Sequence, residues 1–158
     1  MITSYEPWDE TRGAEIIAEH AGIEGATLVI LHALQEAFGY VPEPAIAMIA
    51  STLNLSRAEV YGVFTFYHDF RSAPAGQHVL KLCRAEACQA AGGEALALRA
   101  ETKLGIACGS TTADRRVTLE PIYCLGLCAT APSAMLDGRL IGRLNADRLD
   151  ALLAEAEA

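Results

Sequence analysis

Four of the five cysteines of this chain fall into two closely spaced pairs. Cys83 and Cys88 are separated by four residues, and Cys124 and Cys128 by three. Because such a spacing lets one loop present two sulfur atoms to a single centre, two such loops supply four thiolates. Four thiolates suit an iron–sulfur cluster or a zinc ion. Neither pair has the Cys-x-x-Cys spacing of thioredoxin-type dithiols and common zinc knuckles. The sequence therefore predicts a metal centre, with zinc as the main rival of iron–sulfur.

The other chemically active side chains form no second site. Cys108 lies outside both pairs and is predicted to be a spare thiol. The four histidines are scattered, and strand alternation gives His78 no reason to reach the cysteines. Arg84 could offset charge beside Cys83 or could simply be solvated. Because no glycine-rich phosphate loop, nucleophile elbow or acid–base pair occurs, we expect electron transfer here and substrate chemistry on partner chains.

The first half of the chain predicts a bundle of short helices. Apolar residues recur at helical spacing in four segments: Ala14, Ile16, Ile17 and Ala21; Leu28, Leu31, Leu34 and Phe38; Ile46, Met48 and Ile49; and Val60, Val63, Phe64 and Tyr67. Gly39 and Pro42 end the second segment, and Ser56-Arg-Ala-Glu59 has the pattern of a capping box. Helices this short must pack together to bury their apolar faces. We expect the aromatic group Phe64, Phe66, Tyr67 and Phe70 to lie in the bundle core.

The hydrophobic pattern changes after a linker at residues 71–76. Strands are predicted for His78–Cys83 and Val117–Cys124, and a helix for residues 91–104. A hairpin over Ala134–Ile141 turns at Asp137-Gly138, and Asn145 caps a final helix that carries Leu149, Leu152 and Leu153. Both cysteine pairs then follow strand ends, where α/β sheets place their sites. The predicted fold class is α+β, with a helical bundle over residues 1–73 and a thioredoxin-like domain over residues 74–158.

Composition restricts the setting of this chain. Of its 158 residues, 52% are hydrophobic, which is enough to form a core. Only 12 residues are basic, and the net charge is −8. A nucleic-acid surface would need a basic patch, and no apolar run has the length of a membrane span. The acidic start lacks the apolar stretch of a signal peptide. We therefore expect a cytoplasmic protein without nucleic-acid or membrane partners. An odd number of cysteines also argues against a disulfide framework.

Together these motifs resemble a known family. The two cysteine pairs, the segment Val60–Tyr67 and the run Cys124-Leu-Gly-Leu-Cys128-Ala-Thr-Ala-Pro132 are similar to the 24-kDa subunit family of respiratory complex I, the thioredoxin-like [2Fe–2S] ferredoxins. The resemblance extends from about residue 12 to residue 155. It implies one [2Fe–2S] cluster held by Cys83, Cys88, Cys124 and Cys128. Thioredoxin-like folds commonly have a cis proline before the third strand, and Pro132 occupies the matching place.

Within this family, three segments are most similar to the gamma subunit of soluble, molybdenum-containing, NAD-dependent formate dehydrogenases: Tyr67–Phe70, Cys83–Gln89 and Ala131–Gly138. That resemblance implies an FMN- and NAD-binding flavoprotein partner and a large catalytic subunit with molybdenum and further iron–sulfur clusters. Neither FMN nor molybdenum is expected on this chain. The equivalent subunit of complex I or of a bidirectional NAD-linked hydrogenase stays an alternative, as does a zinc-stabilised adaptor. A free-standing ferredoxin would not need the helical half, which we expect to dock onto the flavoprotein.

Overall fold

The computed structural model describes residues 5–157, and its first half is helical as predicted. The four helices are α1, Glu10–His20; α2, Ala26–Phe38; α3, Glu43–Leu53; and α4, Arg57–Phe66. Ser56 and Glu59 form the expected capping box, in which each side chain accepts a hydrogen bond from the other residue's backbone N–H. Gly39 ends α2 with a φ of 78°, a conformation that glycine adopts without strain.

The helices enclose one apolar core. Its members come from all four helices, from the turn before α3 and from the segment after α4. The most deeply buried are Ile17, Ile30, Leu31, Leu34, Phe38, Ala45, Ile49 and Val60. The prediction for the aromatic group is right for Phe70, which is buried, and for Phe64, which packs against the core while partly exposed. It is wrong for Phe66, which is 73% exposed, and for Tyr67, which is 44% exposed. Both lie at the C-terminal end of α4, beyond the face of this helix that packs against the core.

The second half of the chain forms a small mixed α/β unit. Its strands are β1, His78–Cys83; β2, Ser110–Thr111; β3, Val117–Ile122; β4, Ala134–Leu136; and β5, Arg139–Ile141. Its helices are α5, Glu86–Ala90; α6, Gly93–Leu104; and α7, Ala146–Glu157. The sequence did not predict α5 or β2, because five and two residues are too short to show a hydrophobic period. The predicted strand β3 ends two residues early, so Cys124 lies in a loop rather than at the strand terminus.

The sheet has the strand order β2-β3-β1-β4-β5. Strands β1 and β3 run parallel, so their carboxyl ends lie side by side, with Cys83 in register with Ile122. The other neighbours are antiparallel. The predicted hairpin turns at Asp137 and Gly138, whose φ angles are 49° and 85°. This pairing brings the residues that follow Cys83 and Ile122 to one edge of the sheet.

A second core lies within this unit. It joins the sheet to α6 and α7 and includes Leu80, Val117, Leu119, Ala134 and Leu149 among its fully buried side chains. Asn145 caps α7 as predicted, because its side-chain oxygen accepts a hydrogen bond from the backbone N–H of Arg148. The chain divides into two compact units, and the boundary between them falls between Pro74 and Ala75. No helix within residues 5–157 combines the length and apolar character of a membrane span.

Candidate metal centre

The first cysteine loop is buried. Cys83 is the last residue of β1, and Cys88 lies in the short helix α5 that follows; their exposed fractions are 5% and 2%. The backbone N–H of Cys83 donates to the carbonyl of Ser133, which fixes the strand end against the neighbouring segment. The carbonyl of Ile122 accepts from the backbone N–H of Arg84. The strand end that carries this loop is therefore anchored by backbone hydrogen bonds on both sides.

The second cysteine loop is exposed. Cys124 lies in the loop after β3, and Cys128 begins a short 3-10 helix, Cys128–Thr130. Their sulfur atoms are 3.7 Å apart. The backbone N–H of Gly126 donates to the sulfur of Cys124 at 3.3 Å. Gly126 has a φ of 76°, and a Cβ there would meet no atom within 4 Å among the described residues. The glycine is thus needed for its left-handed conformation, which aims its N–H at sulfur, and not for lack of space.

The two loops bring the four predicted sulfur ligands together. Burial raises the pKa of Cys83, but donors from the backbone of Ala85 and from the side chain of Cys88 outweigh it and lower that pKa. The backbone of Cys124, in the other loop, contributes to the same lowering. The pKa of Cys128 is raised, first by its contact with Cys124 and more weakly by the charges of Cys88 and Cys83. The two loops are therefore close enough for groups of each loop to shift the pKa of a thiol in the other.

A buried serine that the sequence did not predict lies against the first loop. Ser133 is 2% exposed, and its hydroxyl oxygen lies 3.5 Å from the sulfur of Cys88. The same side chain also contributes to lowering the pKa of Cys83. The preceding Ala131–Pro132 peptide bond is cis, as predicted. No sequence signal points to Ser133 by itself; its role follows only from the pairing of β4 with β1.

A glycine packs directly against the first loop. Gly93 begins α6, and a Cβ built on it would lie 2.6 Å from the carbonyl oxygen of Cys88 and 3.6 Å from that of Cys83. The fold leaves no room for a side chain at this position. The adjacent pair Gly92-Gly93, which follows Cys88 after three residues, was the available signal for such a close approach.

Three other residues considered from the sequence, Arg84, Cys108 and His78, lie outside the four-cysteine centre. Arg84 forms an ion pair with Glu94, so its charge is offset locally rather than left free in solvent. Cys108 packs partly against the second core, and burial raises the pKa of its thiol. Its spare role stays a prediction. His78 hydrogen bonds to Asp137 at 2.6 Å, at the opposite end of β1 from Cys83.

The donor set fits a dinuclear iron–sulfur core. Two thiolates bound at about 2.3 Å to one tetrahedral metal lie about 3.8 Å apart, close to the 3.7 Å between Cys124 and Cys128. A [2Fe–2S] core asks for only two protein thiolates at each iron. Two pairs of thiols, one in each loop, would supply that number of ligands.

Comparison with known proteins agrees with this architecture. The family model "Thioredoxin-like [2Fe-2S] ferredoxin" matches residues 13–157. The chain belongs to this family, whose [2Fe–2S] cluster is its cofactor. One relative, an NADH-quinone oxidoreductase subunit of Pseudomonas aeruginosa, is 37% identical over 128 residues, which cover 81% of this chain and 77% of the relative.

Two further similarities involve hydrogenases. The NADP-reducing hydrogenase subunit HndA of Solidesulfovibrio fructosivorans is 31% identical over 132 residues, covering 84% of this chain and 77% of that subunit. A solved structure of an NAD⁺-reducing [NiFe]-hydrogenase in the air-oxidised state matches with a TM-score of 0.67 and 30% identity. That match covers 80% of this chain but 22% of the hydrogenase chain. The chain therefore corresponds to one part of a larger polypeptide in that enzyme.

Proposed function

We propose that this chain is the electron-transfer subunit of an NAD-linked multisubunit oxidoreductase, with one [2Fe–2S] cluster ligated by Cys83, Cys88, Cys124 and Cys128. The observation that carries the proposal is the convergence of two cysteine loops at the carboxyl ends of the parallel strands β1 and β3. When bound, the cluster accepts and releases one electron at a time. The chain's own residues supply its binding and its surroundings.

The two loops have different tasks in this proposal. The first loop, with Cys83 and Cys88 buried, would exclude water from one side of the centre. The second loop exposes Cys124 and Cys128, so a partner's redox centre can approach on that side. The backbone N–H of Gly126, directed at Cys124, stabilises negative charge on sulfur. The chain then needs no catalytic residue of its own.

Single cysteine-to-serine variants test the ligand set. We expect C83S, C88S, C124S and C128S each to lose or alter the cluster, seen as a change in visible absorbance and iron content after anaerobic purification. C108S is the matched control, because Cys108 lies outside both loops, and it should keep the spectrum of the unaltered chain. A normal cluster in any of the four ligand variants would refute this ligand assignment, and loss of the cluster in C108S would contradict the spare role of Cys108.

The partner that fits the proposal is an FMN-bearing flavoprotein subunit that oxidises NADH. Its support is the similarity to subunits of an NADH-quinone oxidoreductase and of nicotinamide-linked hydrogenases. Such a flavin takes two electrons from the nicotinamide and passes them on singly, which is the step a one-electron cluster accommodates. NADH should reduce the cluster only when the flavoprotein is present. Reduction by NADH of the isolated chain would contradict the division of labour.

The identity of the catalytic subunit is the finer part of the proposal. The similarity of Tyr67–Phe70, Cys83–Gln89 and Ala131–Gly138 to formate dehydrogenase gamma subunits supports a large partner with molybdenum and iron–sulfur clusters. The similarities reported above support an NADH-quinone oxidoreductase or a hydrogenase at least as well. Metal analysis of the purified complex separates them: molybdenum with formate-dependent NAD⁺ reduction supports formate dehydrogenase, whereas nickel, or quinone reduction without molybdenum, supports the alternatives.

We also propose that the helical half, residues 1–73, docks the chain onto the flavoprotein while residues 74–158 hold the cluster. The support is that the helical half brings no cysteine to the centre and exposes Phe66 and Tyr67 at the end of α4. Exposed aromatic side chains are common at the centres of protein interfaces.

The proposed location of the complex is the cytoplasm, in keeping with five cysteines that form no disulfide.

A further inference from the structure

Among the hydrogen bonds of residues 5–157, the side-chain hydroxyl that contacts a buried cysteine of the first loop is that of Ser133. It is 2% exposed and lies between the cis peptide at Pro132 and strand β4. Its hydroxyl oxygen is 3.5 Å from the sulfur of Cys88, a normal distance for a hydrogen bond that involves sulfur. A buried hydroxyl has to find a partner, because leaving one unpaired is costly. Here sulfur supplies that partner.

The direction of this hydrogen bond follows from the proposed ligand set. Between a free thiol and a hydroxyl, either group could donate. A cysteine bound to iron is a thiolate without a proton and can only accept, so the hydroxyl of Ser133 must donate to Cys88. Its contribution at Cys83 shows that the same hydroxyl also lies near the other sulfur of the first loop. The backbone carbonyl of Ser133 accepts from Cys83 N–H at 3.0 Å and holds the residue in place.

We propose that Ser133 sets the reduction potential of the cluster by donating its hydroxyl hydrogen to the thiolate sulfur of Cys88. If a bound cluster gained one electron without a proton, the negative charge on its sulfur ligands would increase. A hydrogen bond to a more negative acceptor is stronger, and the hydroxyl therefore stabilises the reduced state more than the oxidised state. Its effect is to raise the potential. This inference rests on the proposed ligation by Cys88.

Removal of the hydroxyl should lower the potential without removing the cluster. For S133A we expect about a tenfold fall in the equilibrium constant for one-electron reduction, which is about 59 mV. The pair S133T and S133V adds the same bulk with and without a hydroxyl, so their difference isolates the hydrogen bond from any packing change. S133T should have the higher potential of the two. The measurement is an anaerobic redox titration of each purified chain, followed by visible absorbance and by the paramagnetic resonance of the reduced cluster.

Thr118 provides a matched control for loss of a buried hydroxyl. It is 5% exposed and lies in the same sheet, near the start of β3, so it is far along the strand from the Cys83 end. Its hydroxyl accepts from the backbone N–H of Gly76 at 2.7 Å and pairs with Thr111 at 2.8 Å. T118V should lower thermal stability and leave the potential unchanged.

The outcomes separate this inference from the proposed function. A lower potential in S133A, with S133T above S133V and T118V unchanged, supports the role of Ser133. A potential equal to that of the unaltered chain in S133A, or equal values for S133T and S133V, overturns it while the ligand set stands. An equal shift in T118V overturns it as well, because the shift would then reflect general loosening. A normal cluster in C88S would instead refute the ligation on which the inference rests.

Discussion

Gly93→Ala tests the packing of α6 against the first cysteine loop. The added Cβ would lie 2.6 Å from the carbonyl oxygen of Cys88 and 3.0 Å from its carbonyl carbon, well inside the usual contact distance of about 3.5–4.0 Å. Both are backbone atoms, so no side-chain rotation relieves the contact. Either the start of α6 or the loop that carries Cys88 has to move.

The expected loss in the free energy of unfolding follows from the type of strain that the added Cβ introduces. Overpacking a closely packed site costs about 1–3 kcal/mol. Alanine in place of glycine inside a helix returns at most about 1 kcal/mol, and less at the first helical residue. We therefore expect Gly93→Ala to destabilise the second unit by about 1–2 kcal/mol. For a unit of this size, each kcal/mol lowers the melting temperature by about 4–8 °C.

Loss of visible cluster absorbance on heating, at one fixed scan rate, reports on the second unit. Gly62→Ala is the control, since Gly62 lies within α4 and a Cβ there meets no atom within 4 Å among the described residues. It should stabilise the first unit by about 0.5–1 kcal/mol, as measured by helical circular dichroism. A Gly93→Ala chain that retains its cluster to the same temperature as the unaltered chain would refute the packing argument.

Three further predictions concern stability and assembly. Arg99 and Lys103 hold the pKa of the Asp150 carboxyl well below its usual range. The stabilisation that D150N removes should therefore be complete above about pH 4, the pKa of aspartate in the unfolded chain, and should fade as the pH falls further. A D150N effect that is equal at neutral and strongly acidic pH in denaturant titrations would contradict this. Ser56→Ala removes an N-cap and should destabilise the first unit by about 1 kcal/mol in circular dichroism melts; an unchanged melt would argue against the capping box. A chain that begins at Pro74 should keep its cluster but bind the flavoprotein more weakly in a pull-down, and undiminished binding would refute the docking role of the helical half.

Much of the architecture could be predicted because its signals are local. Helical spacing around Leu31 and Leu34, the Ser56 capping box and the Asp137-Gly138 turn each depend on a few neighbouring residues, and the structure contains all of them. The cis bond at Pro132 was predicted from the fold analogy rather than from local chemistry. The exposed position of Phe66 was not predicted, because an aromatic side chain at a helix end can point either way.

The fine structure of the site depends on contacts between distant segments. Cys88 and Ser133 are 45 residues apart, and only the pairing of β4 with β1 brings them together. The close approach of Gly93 to Cys88 is by contrast local, because both residues lie in the same segment after β1. The cysteine spacing could therefore predict the ligand types and the class of cofactor, whereas the groups that tune the centre emerge only when the strands are paired.

The central claim is that the two cysteine loops hold one dinuclear cluster. Iron and acid-labile sulfide analysis of the anaerobically purified chain, combined with paramagnetic resonance after reduction, tests it most directly. We predict about two irons and two sulfides per chain and one signal from a reduced [2Fe–2S] centre. Stoichiometric zinc without visible colour, or about four irons and four sulfides per chain, would contradict the claim.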